Sequence, residues 1–255
     1  MPYRRLPNTD QARIRALRMA VDSCVQGGVY TNTLKHNTYA TAKNFLEKFE
    51  REVAVYKRCV SEQSSKRGNA KYEAAFKSAR MYVMHFLQVF SMAVMRGEIA
   101  RAKRAYYGLS PEDDSLPTII LESAVLEWSK KIVEGERKRQ GEGGVPIYNP
   151  TMGRVSVACD LFKDMYDRQQ RLQQSTAEAL HNVAAMRAEC DEIILGVWEE
   201  IEKAFASLEG EERLKKCAQY GIIYYTRRDR KKKEKNAAKK LQVFSPTSSK
   251  KVTDG

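Results

Sequence analysis

Apolar residues recur at steps of three and four along this chain, and they do so in two long stretches without proline. None of the seven prolines lies in 39–109 or 151–245. Proline costs roughly 3 kcal/mol inside a helix, so spans this long favour long helices. The two stretches also match each other. Ala42, Phe45, Leu46 and Phe49 sit 116 residues before Ala158, Leu161, Phe162 and Met165. Gly97-Glu98 and Tyr107-Gly108-Leu109 sit 113 residues before Gly210-Glu211 and Tyr220-Gly221-Ile222. The pattern predicts an all-α bundle of about six helices, built on two similar long hairpins that each end in a Tyr-Gly stop. An internal duplication is the expected origin of the match.

The periodicity divides the chain into five parts. Residues 1–38 read as an arm and a helix, capped at Asn8 or Thr9, with Ile14, Leu17, Val21 and Cys24 as its seam and Gly27-Gly28 as its end. The first hairpin, 39–109, has helices near 38–61 and 70–95, a tight turn between them and a short helix over 98–107. The second helix is apolar on most faces, which places it centrally. The segment 110–150 holds an acidic turn, a helix over about 118–140 with Pro117 in its first turn, and a Gly/Pro loop. Leu121, Ala124 or Val125, Trp128 and Ile132 would form that helix's buried face. The second hairpin, 151–225, belongs to the same globular domain as the first. Its helices cover about 151–183 and 193–208, with a break at Gly210. Residues 226–255 read as a basic disordered tail.

Charge is concentrated at that tail. The chain carries +13, and 226–255 supplies 11 Lys and Arg against 3 acids, a net of +8. Arg4, Arg5, Arg13, Arg15 and Arg18 make the opening segment basic as well. One reading of the tail is a solvated, solubilising extension. The other is contact with a phosphate-rich partner. Under the second, Arg227, Arg228, Arg230, Lys231, Lys232, Lys233 and Lys235 neutralise phosphates, and Tyr224 and Tyr225 stack on unpaired bases.

Signatures of chemistry are sparse. The sequence holds no phosphate-loop, nucleophile-elbow or zinc-type motif. A di-iron bundle needs two Glu-x-x-His pairs, and the chain has one, Glu178 with His181. Asp160, Asp164 and Asp167 read as a solvated acidic face of the third helix rather than as ligands. The five cysteines are odd in number and lack CxxC spacing. Four of them, all but Cys59, fall on apolar stripes, which suits buried thiols in a reducing compartment. The start lacks the apolar core of a secretory signal, and the most apolar run, Tyr82–Met95, is too short to span a bilayer. These features lead to the expectation of a cytoplasmic, non-enzymatic scaffold or interaction protein. It would need no cofactor or metal, would not insert in membranes, and would bind a protein partner. The alternatives are a nucleic-acid-binding protein that uses the tail, and a metal-dependent bundle enzyme.

Three strings carry a family resemblance: Met1-Pro-Tyr-Arg-Arg-Leu-Pro-Asn-Thr-Asp10, Gly97-Glu-Ile leading to Tyr106-Tyr-Gly-Leu109, and Pro146-Ile-Tyr-Asn-Pro-Thr151. In these the chain resembles a family of uncharacterised helical proteins of Bacteroides-type bacteria, over most of residues 1–225. The resemblance implies a helical fold in a bacterial cytoplasm. It brings no activity, cofactor or catalytic residue with it.

Overall fold

The structure, a computed structural model, describes residues 3–26, 29–31 and 33–225. These form seven α-helices and one 3₁₀ helix, with strands only two residues long. In chain order they are β1 (Tyr3–Arg4), α1 (Asp10–Ser23), β2 (Val25–Gln26), β3 (Val29–Tyr30), α2 (His36–Gln63), α3 (Lys66–Met95), the 3₁₀ helix (Arg101–Tyr107), α4 (Glu122–Gly141), α5 (Met152–Ala185), α6 (Arg187–Ala204), α7 (Gly210–Gln219) and β4 (Tyr224–Tyr225). The fold is an all-α helix bundle. Among the described residues no helix is long and apolar enough to cross a membrane. The chain divides into two compact units, one made of residues 56–179 and the other of the chain on either side, up to Val55 and from Leu180. Both boundaries fall inside long helices, α2 and α5, rather than in the 110–150 segment.

The unit 56–179 is built on α3. Ser65 caps this helix, its hydroxyl accepting from the Gly68 amide at 3.4 Å. Ala79, Val83, Phe86, Leu87 and Phe90 are buried along α3 at helical spacing. Phe90 packs on Tyr107 with ring centroids 4.2 Å apart, and Phe76 packs on Phe162 of α5 at 5.4 Å. Gly97, at φ 76°, ends the helix, and Gly108, at φ 70°, ends the 3₁₀ helix. Arg104 is fully buried and reaches past that stop. Its guanidinium donates to the Ser110 carbonyl (2.7 Å), the Ser115 carbonyl (3.1 Å) and the Ser91 hydroxyl (3.3 Å), so it ties the acidic turn to the core.

Helix α4 begins at Glu122, so Pro117 lies in irregular chain ahead of it rather than in its first turn. The acid suits the positive end of the helix dipole there. The buried face keeps Val125 and Ile132 of the expected one, with Trp128 half-buried against the core beside them, and extends along the rest of the helix. Val125, Ser129, Ile132, Gly135, Glu136 and Arg139 point inward, while Leu121 is exposed and Trp128 lies under the Lys131 ammonium, 4.5 Å from its ring centroid. Gly135 sits on this face against the 3₁₀ helix. A Cβ there would stand 2.7 Å from the Tyr106 carbonyl oxygen, so only glycine lets the 3₁₀ helix lie this close.

The Gly/Pro loop after α4 is pinned by a buried ionic cluster. Arg139 donates to the two Glu136 carboxylate oxygens at 3.0 and 2.7 Å and to the Val145 carbonyl at 2.8 Å. Tyr107 donates its hydroxyl to Glu136, Gln140 adds a bond at 2.7 Å, and the Ile147 amide adds one at 3.4 Å. Among the described residues no buried polar side-chain atom lacks a partner.

In the other unit, Thr9 caps α1, its hydroxyl accepting from the Ala12 amide at 3.2 Å. The helix ends at Ser23, ahead of the expected Gly27-Gly28, because Val25–Gln26 pairs with Val29–Tyr30. Ile14, Leu17, Ala20 and Val21 form the buried seam of α1, and Cys190, Ile194, Val197 and Ile201 form that of α6. Glu200 of α6 serves as the cap of α2, accepting from the Lys35 amide (3.0 Å) and the Thr38 hydroxyl (2.8 Å). Tyr220 is buried against Phe205, its ring 5.6 Å away. Beyond it the chain runs to β4, which pairs antiparallel with β1, Tyr225 opposite Tyr3.

The matched glycines share a positive φ, although Gly97 follows the end of α3 and Gly210 opens α7. Gly210 is at φ 63° and Gly221 at φ 86°, as Gly97 and Gly108 are at 76° and 70°. The Gly108 and Gly221 amides donate to Ala105 and Ala218 at 3.1 Å, and Leu109 and Ile222 donate to Arg104 and Cys217 at 3.1 and 3.4 Å. The hairpin turns do not match. Ser64 and Ser65 separate α2 from α3, with Ser65 at ψ 117°. Only Met186 separates α5 from α6, and its φ −82° and ψ −11° are helical. An αα-hairpin needs about 2–5 loop residues, so the chain reversal expected between 183 and 193 is absent.

Removing one partner of a buried ion pair costs about 3–5 kcal/mol. Glu136→Ala is therefore expected to lower the free energy of unfolding in urea by that amount, with an unchanged slope. Burial works against the Glu136 charge, but the bonds from Arg139, Tyr107 and Gln140 outweigh it and hold the carboxyl below its ordinary value. Its contribution is then full above the unfolded carboxylate range, about pH 4.3, and lost as pH falls through the depressed native value. The stability gap between wild type and Glu136→Ala should close on acidification.

Candidate functional site

The five arginines of the opening segment divide into two kinds. Three are structural. Arg13 binds both oxygens of Asp191 on α6, at 2.8 and 2.9 Å. Arg187 of α6 returns the same bidentate contact to Asp10, both bonds at 2.8 Å. Arg4 reaches Glu202 at 2.9 Å, and Arg18 reaches Glu50 at 2.6 Å. Arg5 and Arg15 are exposed and make no ion pair among the described residues.

Both unpaired arginines stand on the rim of one cleft of about 620 Å³, which falls in the size range of small-molecule sites. Leu6, Pro7 and Asn8 of the arm form one wall. Ala12, Arg15, Ala16 and Met19 of α1 form the second, and Leu214, Lys215 and Ala218 of α7 the third. Trp198 closes the floor and is 2% exposed. Gly221 through Tyr225 complete the lining. Gly221 makes this arrangement reachable. Its positive φ turns the chain back over α1, and a Cβ there would meet the Ala16 carbonyl oxygen at 2.8 Å.

The charge of the cleft has one sign. Arg5, Arg15 and Lys215 line it, and no acidic side chain among the described residues does. Lys215 has Glu211 nearby, but at 3.8 Å and fully on the surface, a pairing that contributes little. Glu202, behind the cleft, is occupied on both oxygens, by Arg4 and by the Tyr224 hydroxyl at 2.7 Å. Burial and that bond push the Tyr224 hydroxyl well above the ordinary tyrosine range, so it stays protonated.

Of the residues expected from the sequence to meet nucleic acid, Tyr224 and Tyr225 lie in this cleft. Tyr224 is half-buried with its hydroxyl engaged. Tyr225 is half-buried and rests near Tyr3, ring centroids 6.2 Å apart. Arg227, Arg228, Arg230, Lys231, Lys232, Lys233 and Lys235 lie outside the described residues. Sequence reasoning missed Arg5, Arg15, Lys215 and Trp198. Arg15 carried a weak signal, being two positions from Arg13 and so on another face of α1.

The other candidate groups do not come together. Asp160 and Asp164 are exposed, and so are Glu178 and His181. Among the described residues no three His, Cys, Asp or Glu side chains are placed to share a metal ion. Four thiols are buried. Burial pushes Cys190 up to about 12 and Cys159 up to about 11, and raises Cys24 and Cys217 as well. Only the thiolate is nucleophilic, so near neutral pH these four are inert. Cys59 is partly exposed. Ellman's reagent is expected to titrate one thiol in the native protein and all five cysteines after denaturation. Fast reaction at a second native thiol would contradict the burial described. No protein-family model, no curated protein and no solved structure matches the chain.

Proposed function

We propose that the chain is a non-catalytic interaction protein whose ligand site is the cleft between the arm, α1 and α7, and that the ligand is an anion with an apolar body. The observation that carries this reading is the split among the arginines. Arg4, Arg13 and Arg18 are spent on carboxylates, whereas Arg5 and Arg15 stand unpaired over an apolar floor. Guanidinium groups are permanently charged and suit anion recognition rather than proton transfer. Tyr224, held protonated, adds no base. Large apolar surface beside fixed charge supplies both affinity and orientation. Of the two Tyr-Gly stops, the first runs into the turn held by Arg104 and the second into this cleft.

A small anionic dye tests the reading without involving the tail. 1-Anilinonaphthalene-8-sulfonate is expected to bind the native protein at one saturable site and to take energy from Trp198 in a Trp128→Phe background. Arg5→Glu with Arg15→Glu should weaken binding tenfold or more, because both charges reverse at the rim. Equal binding by the reversed variant would remove the cleft as the site.

A further inference from the structure

We infer that the anion taken by the cleft is single-stranded nucleic acid, its bases against Tyr224, Tyr225 and the floor and its phosphates on Arg5, Arg15 and Lys215. The inference rests on the reading of the cleft as an anion site and adds the class of partner.

Three observations favour a nucleotide strand. The first is the arrangement of charge around apolar surface. Arg5 is in the arm, Arg15 on α1 and Lys215 on α7, so cations stand on three walls of one apolar cleft. A strand delivers a phosphate with every flat aromatic base, which matches that alternation without requiring a particular sequence. An acidic peptide meets it only where acids and aromatics alternate. The second is the aromatic platform. Tyr225 is backed by Tyr3, the two rings tilted by 34° with centroids 6.2 Å apart, and β1–β4 pairing holds both. Base–aromatic stacking tolerates every base because each has a π-face. The third is the composition of the chain after β4. Residues 226–255 continue directly from Tyr225 with 11 Lys and Arg against 3 acids.

A duplex fits less well. Its bases are stacked inside, so it offers phosphates to the three cations and nothing to the apolar floor.

Fluorescence anisotropy on the full chain tests the inference. The probes are an oligothymidylate of about 12 nucleotides, a duplex of equal length and a glutamate–tyrosine copolymer, at about 50 and 200 mM salt. The oligothymidylate is expected to bind at least tenfold more tightly than the duplex. Arg5→Ala with Arg15→Ala should weaken it tenfold or more and reduce the salt slope by about 1.4, the share of two phosphate contacts on a single strand. Both side chains are exposed and unpaired, so the thermal midpoint should not move. Tyr225→Ala should weaken the strand while leaving the salt slope unchanged. If the copolymer binds through Arg5 and Arg15 and the strand does not, the nucleic-acid inference falls and the anion cleft stands. If strand binding ignores both arginines and disappears only on truncation after Tyr225, the inference falls as well. Loss of dye binding and strand binding alike would end both readings.

Discussion

Two crossed arginine–aspartate contacts organise the unit that holds the cleft. Arg13 of α1 grips Asp191 of α6, and Arg187 of α6 grips Asp10 of α1, each with two bonds between 2.8 and 2.9 Å. A fork-to-fork pair fixes orientation as well as distance. Two of them, three residues apart on α1 and four apart on α6, fix the rotation of one helix on the other. The apolar seam of Ile14, Leu17, Ala20 and Val21 is then turned inward. Arg13 is drawn to one flank, and Arg15, about 200° further round the helix, is left facing the cleft. The same ion pairs that settle the packing therefore decide which cations remain available.

The unit 56–179 uses buried charge differently. Arg104 is fully buried among neutral acceptors, the carbonyls of Ser110 and Ser115 and the Ser91 hydroxyl. Glu136 and Arg139 are buried as a pair, with Tyr107 and Gln140 completing the shell. Both devices hold irregular chain, the acidic turn in one case and the Gly/Pro loop in the other. Their arginines are consumed in shaping them, so they offer less to a ligand than the unpaired Arg5 and Arg15 do.

Much of the fold was legible because helical spacing is a local property. The 3.6-residue rhythm of Phe45, Leu46, Phe49 and Val53 located α2, and the glycines at 97, 108 and 221 marked stops that take positive φ, whereas Gly210 opens α7 six residues after α6 ends at Ala204. What failed depended on distant contacts. The close approach of Gly135 to Tyr106 is one such contact, and nothing within α4 announces it. The near-continuous passage at Met186 is invisible in a pattern whose apolar steps continue on either side. The cleft was half legible. Tyr224 and Tyr225 stood out beside the basic tail. Arg5 and Arg15 could not be told from Arg4, Arg13 and Arg18, because the pairing of Arg13 and Arg4 is decided by acids 178 and 198 residues away.

Amide hydrogen exchange on the full chain, with and without a single strand of about 12 nucleotides, tests the central claim most directly. The account predicts slowed exchange at 12–19 and 214–225, the α1 and α7 walls and the crossing at Gly221, with no change at 96–149. Protection confined to 96–149, or exchange at both walls unchanged by a bound strand, would contradict it.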